Sequence, residues 1–340
     1  MATRQQHHNG APVSIAHQFQ HFRLLELPPE IVDLVENSKS PLSIKSLPPS
    51  SSDGPNSQPA YAALCTPTKA FQLRQVQTSN SLYVTQPALE THNDASAFTT
   101  RAFASCTTTL ELHPQTEDAA IHMNRLVPTY DIVDGDVDTR ENHISKARLF
   151  ADIPLSDGQC EEAWGALAAF ELSGSSYQPT ANTLTQVWKA INSAAVAEGI
   201  KIDASFLTND LASLVAEEGH PAPLAAALIR HLSTAGSDSE WSSLDRDKVL
   251  SFVATKLLEA KKDGSDYLTA DFLDAWKDNL PELWRKDAEL NAIQGKYELP
   301  SSKTIRAKSN TGAVTSAQPD PAKGSASRKW HEKFAKTRKK

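Results

Sequence analysis

Residues 62–84 read AALCTPTKAFQLRQVQTSNSLYV, and how this run is parsed decides the fold. Residues 61–66 form one strand candidate. Phe71 and Leu73 begin a period-two alternation that slips register at Val76, as a β-bulge makes it, and Leu82-Tyr83-Val84 opens a third strand. Thr78-Ser79-Asn80-Ser81 interrupts the run. Ser and Asn side chains bond the backbone locally and Asn tolerates positive φ, so these four residues read as a turn. No acid or base flanks Cys65, which disfavours an active-site loop and favours a scaffold.

Working outward, HFRLLEL (21–27) is a strand candidate ended by Pro28-Pro29. PEIVDLVE (29–36) has Pro in its first turn, an early acid, and Ile31, Leu34 and Val35 at helical spacing, which predicts a short helix. LSIK (42–45) returns to period two. LPPSSSDGPNSQP (47–59) has too little apolar content to pack and reads as a polar loop. After another polar loop, FTTRAFASCTTTLEL (98–112) is rich in Thr and aromatic residues, a strand signal. Residues 1–19 are expected to be disordered, and residues 20–130 to form an antiparallel β-barrel or sandwich.

DIVDGDVDTRE (131–141) begins an acidic linker taken to run to 155; its acids miss EF-hand spacing, so it is a solvated linker rather than a calcium loop. Beyond it the period becomes 3.6. Ser156 and Gln159 have capping-box spacing. Apolar stripes follow at 182–198, at 203–218 with Asp203 as the expected cap, at 224–232 after Pro221 and Pro223, at 244–262 and at 270–279. Gly199 and Gly219 are placed to close two of these helices. DASFL (203–207) and TADFL (269–273) echo each other 66 residues apart. GKYEL (295–299) adds a β-like run after the last helix. Helices followed by a small hairpin outline a winged helix, and plain helix packing gives the same pattern; the residues alone leave both open.

The chemistry of a catalyst is sparse. The sequence has no P-loop, no GxGxxG, no HExxH and no GxSxG. Cys65 with His113 or His122 is the one nucleophile arrangement to weigh, against a buried structural thiol. Three cysteines at spacings of 41 and 54 suit neither a disulfide framework nor a CxxC metal site, which favours a reducing compartment. No window approaches the apolar length of a membrane span, and the N-terminal residues lack a secretory h-region.

Charge is unevenly spread along the 340 residues. Residues 1–150 carry 11 Lys and Arg against 15 acids, residues 151–300 carry 12 against 24, and residues 301–340 carry 11 against 2. Arg328, Lys329, Trp330, Lys333, Lys336, Arg338, Lys339 and Lys340 are therefore the candidate DNA contacts, with Trp330 and Phe334 one helical turn apart; a nuclear-import signal reads the same way.

FRLLELP (22–28), LSIK (42–45), ALCT (63–66) and QTSNSLYV (77–84) resemble the N-terminal signature of the family named "defective in sister chromatid cohesion". Residues 164–170, Gly219-His220-Pro221 and WKDNLP (276–281) resemble it further on, for coverage of about 22–300. The resemblance implies a non-enzymatic, cofactor-free subunit of an alternative replication factor C-like clamp loader, nuclear and chromatin-associated, with ATP hydrolysis left to other subunits. It implies a β-barrel that joins a small companion subunit and the large clamp-loader subunit, for which Phe22, Leu24, Leu64, Phe71, Leu73, Leu82 and Val84 are the candidate contacts. It also implies tandem winged helices, at 156–202, 203–264 and 265–305, that meet DNA and polymerase epsilon ahead of a disordered basic tail at 306–340. A stand-alone winged-helix factor of transcription type is the alternative.

Overall fold

The computed structural model describes residues 13–37, 40–46, 61–92, 95–132, 144–234, 239–261 and 266–308. The expected loop at 47–59, most of the acidic stretch after Asp131, and all eight candidate tail contacts lie outside them. The architecture is mixed α and β, with a curled, half-barrel sheet in front of a helical array.

The sheet is built from β1 (Val13–Gln20), β2 (Leu24–Leu25), β3 (Ser43–Ser46), β4 (Ala62–Cys65), β5 (Ala70–His92) and β6 (Ala95–Pro114), with helix α1 (Pro29–Asn37) between β2 and β3. Its order is β1-β6-β5-β4-β3, with β2 also on β6. Both β1 and β2 run parallel to β6, so the sheet is mixed where an antiparallel one was expected. Residues 13–19, expected to be disordered, belong to β1: the alternation of Val13, Ile15 with Ser14, Ala16 suffices once β6 offers a free edge.

The opening stretch is also rearranged. Residues 78–81 are not a turn between two strands, and the strand opened at Leu82 runs on to His92 where a polar loop was expected before Phe98: β5 passes through both and pairs with β6 on either side of 78–81. Gln77 stands opposite Thr108 and Leu82 opposite Cys106, so residues 78–81 face Thr107 alone. The register slip sits one residue beyond Val76, as a wide bulge. Long-range pairing of the flanking runs with the Thr-rich β6 carries the strand past 78–81, which stay outside the ladder.

Strand β4 shows why the sheet has two cores. Leu64 points to one side, where it meets Ile31 of α1 and Phe71. Ala63 and Cys65 point to the other, where they join Met123, Leu149, Ile153, Cys160 and Ala163. Those residues come from α2 (Ala119–Leu126), α3 (Lys146–Asp152), α4 (Asp157–Ala166) and the turn between the last two. Small side chains let the helices close in: a Cβ at Gly158 would lie 2.8 Å from the Pro67 carbonyl oxygen. Ser156 and Gln159 form the expected capping box. The expected boundary at 155/156 thus falls between two helices that share one core with the sheet.

The element order then repeats. The first round is α2, β7 (Thr129–Tyr130), α3, α4, β8 (Phe170–Leu172) and β9 (Ser175–Pro179). The second is α5 (Ala181–Ala197), β10 (Phe206–Leu207), α6 (Thr208–Glu217), α7 (Ala222–Leu232) and β11 (Trp241–Ser242). The third is α8 (Arg246–Glu259), β12 (Tyr267–Leu268), α9 (Thr269–Asp278), two 3₁₀ turns, β13 (Tyr297–Ser301) and β14 (Thr304–Ala307). Three-stranded sheets in the first and third rounds share the order β7-β9-β8 and β12-β14-β13. Asp203 does not cap α6, whose N-cap is Leu207. The structural echo is Phe206-Leu207-Thr208 with Tyr267-Leu268-Thr269, a two-residue strand entering a helix, and not the pair read from sequence. Gly199 and Gly219 do close α5 and α6, with φ of 67° and 95°.

One apolar cluster runs from Ala168 to Ile305 through the second and third rounds. Trp188 Nε1 donates to the Asn279 carbonyl at 2.7 Å, and Trp276 Nε1 to that of Leu250 at 3.1 Å. The sheet is fastened to the helices by Lys45 of β3. Its ammonium donates to the carbonyls of Phe150 at 2.8 Å and Leu155 at 2.9 Å and to Asp157 Oδ1 at 2.6 Å, with its side chain 9% exposed. Lys45→Met keeps the stem but strands two carbonyls, and we expect a loss of about 2–3 kcal/mol. The measurement is a urea midpoint at constant m; an unshifted midpoint would show that packing alone holds the sheet to the helices.

Candidate partner interface

Strand β6 is regular from Ala104 to Pro114, and its register places Leu73, Leu82 and Val84 of β5 on the face of Leu64 and Phe71. Five of the seven candidate contacts therefore share a face. Helix α1 covers only the start of it: Leu64 is 6% and Phe71 2% exposed, so both fill the chain's own core and are withdrawn from any partner surface. Leu73 and Val84 are half-buried, and Leu82 is 54% exposed. Leu24 pairs with Thr109 and so lies on the opposite face, while its neighbour Leu25, opposite Leu110, extends the apolar face. Phe22 is exposed beside the sheet, edge-on to Phe103 with centroids 5.6 Å apart.

The sequence reading missed Ile15, 67% exposed on β1, and Ile44, exposed on the far edge strand β3 opposite Leu64. The VSIA alternation was the signal for the first, and LSIK for the second.

The backbone is as unfinished as the face. Strand β4 pairs with β5 only at residues 70–72. From 73 to 92, among the described residues, β5 is hydrogen-bonded on its β6 side alone. Consecutive side chains at 74–77, 81–83 and 85–87 are exposed, so this part of the β5–β6 hairpin has water on both faces. A two-stranded ribbon of that kind is marginal by itself. Nor is its edge guarded by charge, because Arg74 is the one ionised side chain between 73 and 89.

The nucleophile arrangement does not assemble. Cys65 and Cys160 are buried in the same core. Burial pushes the Cys65 thiol up and that of Cys160 to about 11, which keeps both protonated and inert. His122 Nε2 lies 2.8 Å from Glu117, and His113 Nε2 3.4 Å from Glu111, so each imidazole faces a carboxylate. Tyr61 completes that first cluster, its hydroxyl pushed up to about 12 by burial and Glu117. Among the described residues no group of His, Cys, Asp or Glu is placed to hold a metal ion, and no helix is long and apolar enough to cross a membrane.

A second feature lies on the helical array. Two adjoining clefts along α7 and α8 share His231 and Lys248, and together they are lined by Arg230, Lys256 and Lys296. Burial lowers the His231 pKa, so its ring, 3.0 Å from the Gly165 carbonyl, stays neutral, while Lys248 donates to the Ser233 carbonyl at 2.8 Å and Lys256 pairs with Glu259 at 2.7 Å. Glu161 and Glu171 stand at the outer end. Lys248 and Lys256, eight apart on one helix, were the legible sign.

No individually curated protein matches the sequence. Residues 22–314 match the family model described as sister chromatid cohesion protein Dcc1. That span takes in every strand of the sheet but β1, its open edge and all three rounds of helices, so the chain belongs to the sister chromatid cohesion protein Dcc1 family.

Proposed function

We propose that the chain is a non-catalytic assembly subunit of an alternative replication factor C-like clamp loader that acts in sister chromatid cohesion. In this reading the half-barrel is completed by strands from the large clamp-loader subunit and its small companion, in the nucleus on chromatin. The observation that carries it is the unpaired edge of β5 beside an uncovered apolar face. Edge pairing supplies main-chain hydrogen bonds, and the exposed Leu82, Leu25 and Ile44 supply area to bury.

The three rounds, each opening helix, strand, helix, and the first and third ending in a hairpin, are read as tandem winged helices. Support comes from the strand order of the first and third rounds, in which the strand before the second helix joins the last strand of the hairpin. Their boundaries fall near 119–180, 181–245 and 246–307, two helices earlier than the sequence suggested for the first round and one helix earlier for the other two. DNA contact is assigned to the cleft of Arg230, Lys248, Lys256 and Lys296 together with the tail, and docking on polymerase epsilon to the rest of the array. Basic side chains gathered on a body with twice as many acids are suited to phosphate.

Leu82→Asp is the direct test. The side chain is mostly in water, so stability of the isolated chain should change by no more than about 0.5 kcal/mol. Co-purification with the two companion subunits should be lost; undiminished capture would sink the assembly reading.

For DNA, Lys248→Glu, Lys256→Glu and Lys296→Glu combined should lower affinity and flatten the slope of log affinity against log salt by about 2–3. Removing residues 309–340 should flatten it further. Truncation must spare Ile305, which is fully buried in β14. A slope unchanged in both variants would remove DNA from the proposal.

A further inference from the structure

The open edge of β5 is broken into two runs. From 73 to 77 the strand keeps step with β6 residue for residue, and it does so again from Leu82, apart from a slip at Val84/Thr85. Between them five steps along β5 correspond to two along β6. A regular strand rises about 3.3 Å per residue, so three surplus residues cannot be absorbed in line. They take the backbone of 78–81 out of the ladder, and the hydrogen-bonding groups on either side no longer fall at one spacing.

We propose that the partner completes this edge with two separate strands, one along 73–77 and one along 82–92, and that 78–81 sets where the first ends and the second begins. The inference rests on the assembly reading above and adds the form of its occupant. Both strands belong to a partner polypeptide and carry few charges along the pairing, matching an edge whose ionised carboxylate and guanidinium side chains between 73 and 92 are Arg74 and Glu90 alone. Each places apolar side chains at alternate positions, because Leu73 on one run and Leu82 and Val84 on the other continue the same apolar face. A single regular strand would satisfy one run and leave the donors and acceptors of the other unpaired.

Two measurements on the full chain test this. In the assembled complex, hydrogen exchange should slow in two blocks, 73–77 and 82–92, with 78–81 still exchanging fast. Protection running unbroken through 78–81, or confined to one block, overturns the proposal, as does the same protection in the chain alone at concentrations where it self-associates. Deleting residues 79–81 restores an even count between Gln77 and Leu82 and makes the edge continuous. The deletion variant should keep the helical circular dichroism and thermal midpoint of the parent, yet bind the companion subunits at least tenfold more weakly. Equal binding overturns the proposal. If the parent chain itself captures neither companion, the assembly reading has failed, which is a separate result.

Discussion

Strand β4 has to bury both of its faces, and the remainder of the fold follows from that requirement. Leu64 can leave water only if α1 folds back over one side of the sheet, and Ala63 and Cys65 only if α2, α3 and α4 close over the other. Small residues at the second contact bring helix and strand backbones close together. Lys45 then spans the joint, exchanging its hydration for two carbonyls and a carboxylate. The sheet is thereby rigid at one end, where it is clad on both sides.

The same cladding explains the open end. Helix α1 is short, and α2 to α4 are drawn toward β4, so neither set extends over the distal β5–β6 hairpin. That ribbon keeps the length and β-branched character of a core strand without a core of its own. A protein that was complete in isolation would guard such an edge with lysine or glutamate, or cut it short. This one leaves the edge long, with Arg74 and Glu90 as its charges between 73 and 92, and that supports the composite structure proposed above.

Much of this was legible in the residues, and the failures have physical causes. Period two at 61–73, the α1 helix at Pro29, the Ser156 capping box and the glycines ending α5 and α6 are local signals, and they hold because local and tertiary preferences agree there. Residues 78–81 misled because Ser and Asn propensities describe a chain without neighbours, whereas twenty residues of β6 were available for pairing. Leu64 and Phe71 were read as partner contacts because apolar alternation shows that a face is buried without showing what buries it. The repeat was seen at the wrong residues, since a two-residue strand such as Phe206-Leu207 or Tyr267-Leu268 has no periodicity to detect. The basic cleft escaped because the pair on α8, Lys248 and Lys256, is joined by Arg230 and Lys296 only once the chain folds.

The shared core of the last two rounds has a mechanical consequence. With Trp188 bonded to the end of α9, ninety-one residues away, and one apolar cluster joining them, the described residues of this half pack as one body. Strain imposed at Trp241 or on the β13–β14 hairpin is passed on as a rotation of the whole block. Such a block behaves as a strut: it holds whatever it grips at one tip at a constant distance from whatever is anchored at the other.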